Sequence, residues 1–207
     1  MSITAIGLGS NLGNRLLNLQ TALRLLAEIF SCHSPLCSSE SGLIQASDVF
    51  ETEPWGVTDQ PHFLNACLII KKTLPPEILL DRIKKIESEM GRTVTRRWGE
   101  RKIDIDILFI DSMIYDSPNL RIPHADMHRR GFVLIPLAQV APQWVHPCTK
   151  LTVSEMALKF QGQAPTRVCC LQPSLCLNVS RCDIINCVAF AQLCVGETET
   201  TQRRGAR

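Results

Sequence analysis

The chain has 207 residues, of which 45% are hydrophobic and 20% are charged, and its formal net charge is +2. This composition predicts a globular domain with a well-packed core, and the near-neutral charge excludes a bulk basic surface for nucleic acid or membranes. No apolar run approaches the roughly 20 residues that span a bilayer, and the N-terminus lacks the basic region of a signal peptide. We therefore expect a cytoplasmic protein.

Hydrophobic periodicity and turn residues predict strands and helices before residue 111. The strands are at residues 2–9, 44–52, 63–72 and 102–110, and the helices are at residues 15–29 and 75–90. Asn14 is the predicted N-cap of the first helix, and Gly91 is the predicted C-cap of the second. The order β-α-β-β-α-β predicts an α+β fold of the ferredoxin-like plan, in which an antiparallel sheet packs against helices.

The C-terminal part of the chain differs in composition. Residues 121–124 predict a short extended piece and residues 132–140 predict a helix. Most of the 10 cysteines follow residue 147, without the paired CxxC motifs of a zinc site. We predict one domain over residues 1–147 and a poorly ordered, Cys-rich C-terminal extension over residues 148–207.

Two aspartates in the stretch RRWGERKIDIDILFID are candidates for metal binding. Alternate residues of a strand share a face, so Asp104 and Asp106 lie together on one face. The opposite face is predicted to carry the core residues Ile103, Ile105, Ile107 and Phe109. Carboxylates on Cα atoms roughly 6.6 Å apart repel unless a cation compensates. Mg²⁺ prefers such oxygen ligands, although a solvated acidic face is the alternative interpretation.

Basic residues surround the acid pair in the sequence. They are Arg92, Arg96, Arg97, Arg101 and Lys102. A triphosphate bound through Mg²⁺ needs both groups, because carboxylates hold the metal and arginines meet the phosphate oxygens. Trp98 offers a flat surface on which a base could stack, or it packs in the core. The Gly-rich turn GLGSNLGN lacks the lysine of a P-loop, and no protein-kinase motif set occurs, so phosphoryl-type transfer without a P-loop remains.

The segment RWGERKIDIDIL resembles the signature of the 6-hydroxymethyl-7,8-dihydropterin pyrophosphokinase family of folate biosynthesis. Further colinear blocks resemble this family, namely AIGLGSNLGN, ETEPWGVTDQPHFLNA, IESEMGR and RIPHADMHRRGFVLIPLAQVAP. Together the blocks extend over about residues 3–147. The resemblance implies transfer of pyrophosphate from ATP to the hydroxymethyl group of the pterin, with release of AMP and with two Mg²⁺ ions.

The resemblance also implies roles for individual residues. Asp104 and Asp106 correspond to the metal ligands. The implied catalytic residues, which handle phosphate or close the site, are Arg92, Arg101 and His124. The implied ATP contacts are Glu87, Trp98, Ile107 and Arg130. The implied pterin contacts are Thr52, Trp55, Phe63, Asn65 and Phe132. Two phenyl rings and an amide suit a flat ring with donors and acceptors around its edge.

Two other functions fit parts of the pattern. A non-catalytic ferredoxin-like module could bind nucleotide or a partner protein, but it does not need the acid pair, loop arginines and aromatic pair together. An RNA-binding sheet of similar topology would carry an RNP-type aromatic strand, which this sequence lacks. The resemblance therefore implies ATP and the pterin as partners, with no nucleic acid or membrane, and dihydropteroate synthase as a pathway neighbour.

Overall fold

The computed structural model describes residues 2–30, 43–92, 99–163 and 165–171. The strands are β1 (Thr4–Ser10), β2 (Ile44–Ala46), β3 (Asp48–Thr52), β4 (Phe63–Ile70), β5 (Asp104–Ile110), β6 (Tyr115–Asp116), β7 (Arg121–Ile122) and β8 (Thr166–Cys170). The helices are α1 (Arg15–Phe30), α2 (Pro76–Glu89), α3 (Gly131–Val140) and α4 (Val153–Ala157), and short 3-10 helices occupy Met127–Arg129 and Leu158–Gln163. None of these described helices is long and apolar enough to cross a membrane.

An antiparallel sheet forms the centre of the fold. Its strand order is β5-β1-β4-β3-β8, and β2 also pairs with β4. The strand predicted at residues 44–52 is divided at Ser47, which donates its N–H to the Cys67 carbonyl and accepts the Cys67 N–H on its hydroxyl, at 2.9 Å each. With β2 and β3 counted as one strand, β5-β1-β4-β3 is the order of a ferredoxin-like sheet. The predicted α+β fold class is therefore confirmed.

The two faces of the sheet have different neighbours. Ala5, Gly7 and Gly9 share one face of β1, because strand residues alternate between faces. α3 packs on this face and forms a buried cluster that includes Ala5. α1 and α2 contact the central strands and cover the opposite face, which carries the buried Ile6 and Leu68. α3 leaves the end of its face near Gly9 uncovered, and this end forms the cleft described below.

Caps at the helix ends agree with the sequence prediction. The side-chain oxygen of Asn14 accepts the Leu17 N–H at 3.1 Å, as expected for the N-cap of α1. Gly91 follows α2 with φ of 77°, a left-handed conformation that glycine adopts without a steric penalty. This turn directs the Arg92 N–H back to the Glu87 carbonyl at 2.9 Å. Arg92 therefore begins its loop beside the last turn of α2.

An irregularity in β5 changes one predicted side-chain direction. Adjacent residues of β1 pair with Ile107 and Phe109, so Leu108 is the extra residue on β5. A bulge of this kind turns the residues that follow it. Phe109 joins Leu108 in the cluster beneath α3 and stacks on Trp144 with ring centroids 3.9 Å apart. The prediction that Phe109 shares a face with Ile107 is therefore wrong.

The described residues that follow Pro147 belong to the same compact unit. α4 begins with a capping box and buries Val153 and Met156 in the cluster beneath α3. β8 pairs with β3 and extends the main sheet. The predicted domain boundary at residue 147 is therefore too early, because the next segment completes the cluster and the sheet. The rest of the predicted extension, residues 172–207, lies outside the described part of the chain.

Candidate active site

A cleft of about 240 Å³ lies at the end of the sheet face that α3 leaves uncovered. Its floor comes from β1, β4 and β5, and its walls come from residues that follow α2, β3 and β7. The lining includes Gly7, Gly9, Thr52, Trp55, Phe63, Asn65, Lys84, Arg92, Arg101, Asp104, Asp106, His124, Arg130 and Phe132. One half of the cleft is charged, and the other half is aromatic.

The charged half is built around Asp104, at the start of β5. Its Oδ1 contacts Arg92 Nη1 at 2.9 Å, and its Oδ2 contacts Arg101 Nη1 at 3.0 Å. Each carboxylate oxygen thus meets a different arginine. The structure therefore brings one predicted acid and both predicted loop arginines into contact. Charge-assisted pairs of this kind hold the guanidinium groups at the position where a phosphate could meet them.

Asp106 shares the face of Asp104 but has looser contacts. Its Oδ2 is 4.0 Å from His124 Nε2 and 3.9 Å from Arg130 Nη1. Removal from solvent, followed by the charge of Asp104, raises the pKa of the Asp106 carboxyl above its ordinary value, while His124 and Arg130 lower it. A divalent cation between the carboxylates would favour the charged form of Asp106.

Asp126 orients two side chains that face Asp106, His124 and Arg130. The His124 Nδ1 accepts the Asp126 N–H at 3.2 Å, so in the neutral ring the proton is on Nε2, the nitrogen that faces Asp106. The Asp126 carboxylate also contacts Arg130 Nη2 at 3.3 Å. The 3-10 helix that begins after Asp126 therefore fixes both His124 and Arg130 at the cleft.

Glu87 lies beneath the charged half and is 2% exposed. One carboxylate oxygen contacts Arg92 and accepts the Ile105 N–H at 2.9 Å, and the other contacts Lys84 Nζ at 2.8 Å. Protein donors engage both oxygens of Glu87, which thereby ties α2 to β5 and holds Arg92. The ATP contact of Glu87 stays a prediction.

The aromatic half contains Trp55, Phe63 and Phe132. The rings of Trp55 and Phe132 have centroids 6.1 Å apart and an interplanar angle of 59°. The Arg101 guanidinium carbon lies 5.9 Å from the centre of the Phe63 ring, and that of Arg130 lies 5.8 Å from the centre of the Phe132 ring. These cation–π contacts join the aromatic half to the charged half.

Asn65 supplies a polar group at the floor of the aromatic half. Its Nδ2 donates to the Thr52 hydroxyl at 2.6 Å. A Cβ on Gly9 would lie only 3.1 Å from the Asn65 Oδ1, so the absence of a side chain at Gly9 leaves room over this part of β1. Gly7 also lines the cleft without a side chain. A flat ring can therefore approach the bare strand backbone beside an amide.

Most of the predicted site residues meet in this cleft. Those that line it are Thr52, Trp55, Phe63, Asn65, Arg92, Arg101, Asp104, Asp106, His124, Arg130 and Phe132. Ile107 is 4% exposed and is absent from the lining, because the strand alternation directs it into the core. Its side chain therefore lies outside the cleft, and the ATP contact of Ile107 stays a prediction. Trp98 lies outside the described residues.

Several residues that line the cleft were not predicted from the sequence, among them Gly7, Gly9 and Lys84. The alternation of two glycines on one face of a predicted strand was a visible signal, because strand glycines often mark a close approach. Lys84 lies one helical turn before Glu87, a spacing that places both on the same side of α2.

The acid pair fits the chemistry of Mg²⁺ binding. Asp104 and Asp106 present oxygen donors to one cleft, and oxygen is the donor type that Mg²⁺ prefers. Within the described ranges, no group of three or more His, Cys, Asp or Glu residues could hold a metal ion. The other coordination positions would therefore be filled by water and phosphate oxygens, as is common for Mg²⁺ at nucleotide sites.

Comparison with known proteins identifies the family. Residues 5–142 match the model of the family 7,8-dihydro-6-hydroxymethylpterin-pyrophosphokinase (HPPK). A 2-amino-4-hydroxy-6-hydroxymethyldihydropteridine pyrophosphokinase of Haemophilus influenzae is 38% identical over 159 residues, which cover 76% of this chain and 93% of that protein. The protein of the same name from Aquifex aeolicus is 34% identical over 155 residues, which cover 75% and 90%. The chain belongs to the HPPK family, and the predicted resemblance is confirmed.

Solved structures show the same fold. A protein named HPPK-DHPS, in which DHPS stands for dihydropteroate synthase, was solved in complex with substrates. It matches 78% of this chain with a TM-score of 0.56 and 15% identity. The wild-type HPPK-DHPS of Plasmodium falciparum matches 78% with a TM-score of 0.57 and 17% identity. This chain covers 44% and 45% of those two larger proteins.

Proposed function

We propose that this protein transfers pyrophosphate from ATP to 6-hydroxymethyl-7,8-dihydropterin, giving the pterin diphosphate and AMP. The observation that carries this proposal is one cleft in which an acid pair, Asp104 and Asp106, adjoins paired arginines and an aromatic wall with an amide. The charged half matches a metal-bound triphosphate, and the aromatic half matches a flat heterocycle. Membership of the HPPK family supports the same reaction.

The charged half binds the triphosphate of ATP. Asp104 and Asp106 hold Mg²⁺, with two ions as the proposed number, and bound metal supplies positive charge at the phosphate oxygens. Arg92 and Arg101 both contact Asp104 in the structure. With a metal held by Asp104, the two guanidinium groups would bind phosphate oxygens in place of this carboxylate.

The aromatic half binds the pterin. Phe63 and Phe132 contact the faces of the ring, and Asn65 meets its edge, where an amide offers both a donor and an acceptor. Thr52 accepts a hydrogen bond from Asn65 and thereby orients the amide. Gly9 allows the ring to lie close to the backbone of β1.

The chemical step joins the two halves. The hydroxymethyl oxygen forms a bond to the β-phosphorus of ATP, and the bond from that phosphorus to the oxygen bridging to the α-phosphate breaks. AMP leaves with that oxygen and its electron pair, and the hydroxyl proton passes to solvent water. Arg92 and Arg101 stabilise the charge that develops on the transferring group. His124 donates a hydrogen bond from Nε2 to a phosphate oxygen beside Asp106.

Product analysis tests this proposal. Purified protein, ATP, Mg²⁺ and the pterin should give AMP and the pterin diphosphate in equal amounts. The matched control omits the pterin and should release no AMP. Release of ADP, or no turnover of nucleotide, would overturn the proposal. Binding of ATP without turnover would favour the alternative of a non-catalytic nucleotide-binding module.

A pathway neighbour and a location complete the proposal. The solved proteins of the same fold are HPPK-DHPS proteins, which supports dihydropteroate synthase (DHPS) as the pathway neighbour. We place the reaction in the cytoplasm. Copurification with dihydropteroate synthase activity and cell fractionation test these two points, and recovery with membranes would contradict the second.

A further inference from the structure

The Gly- and Asn-rich turn between β1 and α1 binds a neighbouring backbone segment and does not hold phosphate. It lacks the lysine of a P-loop, and the lining of the cleft includes residues up to Gly9 but none from Ser10 to Asn14. Its polar groups, together with Asn18 in the first turns of α1, bond instead to the backbone of residues 101 and 102. Arg101 carries one of the two guanidinium groups that contact Asp104.

Asn18 connects the turn to the segment that precedes β5. Its Nδ2 lies 3.0 Å from the Lys102 carbonyl oxygen, 2.9 Å from the Leu12 carbonyl oxygen and 3.1 Å from the Ser10 hydroxyl. An amide has two N–H groups, so these three acceptors share them. The side chain therefore acts as a donor, and its loss would remove the bond between the Lys102 carbonyl and α1.

Asn11 fixes the residue before Lys102 from the same turn. The Arg101 N–H donates to the Asn11 Oδ1 at 2.8 Å, and the Asn11 N–H donates to the Arg101 carbonyl at 3.1 Å. Asn11 is 2% exposed, so water does not compete readily for these bonds. Together with the bond from Asn18, three hydrogen bonds clamp the backbone at residues 101 and 102.

The clamp determines where the Arg101 guanidinium can reach. With the backbone fixed, the side chain contacts the Gly99 carbonyl through Nε at 3.2 Å and Asp104 through Nη1 at 3.0 Å, and it lies over Phe63. A displacement of the backbone by 1 Å would move the guanidinium relative to a transferring phosphate by a similar distance. Misplacements of this size slow chemistry by up to about 100-fold.

We propose that Asn18 is a positioning residue for catalysis, which acts by clamping the backbone of residues 101 and 102 and thereby aims Arg101 at the transferring group. This inference rests on the proposed function. Asn18 touches no substrate in this account, because it is absent from the cleft lining. Its effect on turnover must therefore pass through Arg101.

Asn18→Asp is the sharpest variant, because it keeps the shape of the side chain and removes both N–H donors. Asn18 lies in the first turns of α1, where the helix dipole tolerates a carboxylate, so we expect the variant to fold. The matched control is Asn14→Ala. It removes the cap bond to Leu17 in the same turn, and in the described part of the chain the Asn14 side chain makes no hydrogen bond to residue 101 or 102.

Turnover and its dependence on Arg101 are measured first. We expect Asn18→Asp to lower kcat by about 10-fold with little change in KM for the pterin, because the clamp affects the orientation of a charge-stabilising group. Asn14→Ala should lower Tm but leave kcat unchanged. In an Arg101→Ala background, Asn18→Asp should cause no further loss of kcat. An equal loss of kcat in both backgrounds would overturn the proposal.

Hydrogen exchange provides a test that needs no turnover. The Arg101 N–H is bonded to Asn11, so its exchange reports whether loss of the Asn18 bond to the next residue loosens the clamp. It should exchange faster in Asn18→Asp than in the wild type, and at the wild-type rate in Asn14→Ala. Unchanged exchange at Arg101 in Asn18→Asp would overturn the clamp even if the enzyme is active. Failure of the wild type to release AMP, with faster exchange in Asn18→Asp, would overturn the proposed function and leave the clamp supported.

Discussion

The central strands and the edge strand β8 are held in the sheet by different forces. β1, β4 and β5 are almost completely buried, with α1 and α2 on one face and α3 or the cleft on the other. β8 is largely exposed and pairs with β3 alone. Its side-chain anchor is Arg167, which contacts both carboxylate oxygens of Asp48 at 2.6 and 3.1 Å.

This difference separates the strands that carry the proposed catalytic groups from the edge elements that stabilise the fold. The proposed catalytic groups lie on or beside strands whose positions are fixed by burial, so their geometry does not depend on surface contacts. The edge elements α4 and β8 touch no group of the charged half, but they cover the cluster beneath α3 and the outer edge of β3. We therefore expect changes in the centre to affect turnover and changes at the edge to affect stability.

Truncation gives the largest expected effect on stability. A fragment of residues 1–147 loses Val153, Met156 and Leu171, which are 0%, 2% and 3% exposed. Each buried apolar side chain stabilises a fold by roughly 1.5–3 kcal/mol, so the loss is at least about 4 kcal/mol. The matched fragment of residues 1–171 should keep this packing. Equal urea midpoints for the two fragments would instead support the domain boundary at residue 147 that the sequence predicts.

Removal of Asp106 gives the largest effect on chemistry without loss of the fold. Asp106→Ala removes one of two carboxylates for the metal, so kcat should fall on the order of 100-fold or more, while Tm stays near the wild-type value. Asp116→Ala is the control, because its side chain is 62% exposed and pairs with Arg121 outside the cleft. Near wild-type turnover of Asp106→Ala in Mg²⁺ would remove the metal assignment.

The two arginines that contact Asp104 should differ in their effect on stability. Both Arg92→Ala and Arg101→Ala should lower kcat by about 10- to 100-fold, because both side chains stabilise developing charge. Arg92 also pairs with the buried Glu87, so Arg92→Ala should lower Tm more than Arg101→Ala does. Single-turnover kinetics and thermal unfolding check the two parts. A raised dissociation constant for the pterin with an unchanged chemical step would contradict the proposed role.

The Arg167–Asp48 pair gives the smallest effect and depends on pH. A hydrogen bond from Arg167 lowers the pKa of the Asp48 carboxyl in the folded state below its ordinary value of 3.8. A carboxyl whose pKa is lower in the folded than in the unfolded protein stabilises the fold at pH values above its unfolded-state pKa. This contribution is lost as the pH falls through the folded-state pKa. Arg167→Ala should therefore cost up to about 1 kcal/mol near pH 7 and nothing in strong acid.

Denaturation of the wild type and Arg167→Ala at several pH values measures this difference. Arg24→Ala is a suitable control, because Arg24 forms an exposed i,i+4 pair with Glu28 within α1. Its cost should be smaller than that of Arg167→Ala, since exposed helix pairs contribute only about 0.3–0.5 kcal/mol. A cost for Arg167→Ala that stays constant below pH 4 would show that Asp48 is not its partner.

Local pattern was sufficient to predict the centre of the molecule. The two-residue period of strands placed Asp104 and Asp106 on one face, and helix propensity with caps placed Asn14 and Gly91 at helix ends. The resemblance to a family then brought residues distant in sequence, such as Phe63 and Phe132, to one site. The cleft contains both of these rings.

Long-range contacts were not predictable from local pattern. The direction of Phe109 depends on a bulge that exists only when β5 pairs with β1. Glu87 is buried because the Ile105 N–H, 18 positions away, binds its carboxylate. β8 has the sequence TRVCC, in which polar and apolar residues do not alternate, and it forms a strand where β3 offers a free edge and Asp48 meets Arg167. Each outcome requires a partner that sequence periodicity does not identify.

A crystal structure of the protein with Mg²⁺, the pterin and an ATP analogue with a methylene bridge between the α- and β-phosphorus tests the central claim most directly. We predict a cation bound by Asp104 and Asp106 and by phosphate oxygens, with Arg92 or Arg101 moved from Asp104 to the analogue. The pterin should lie between Phe63 and Phe132. A cation bound away from both aspartates, or a pterin bound outside the aromatic half of the cleft, would contradict this account.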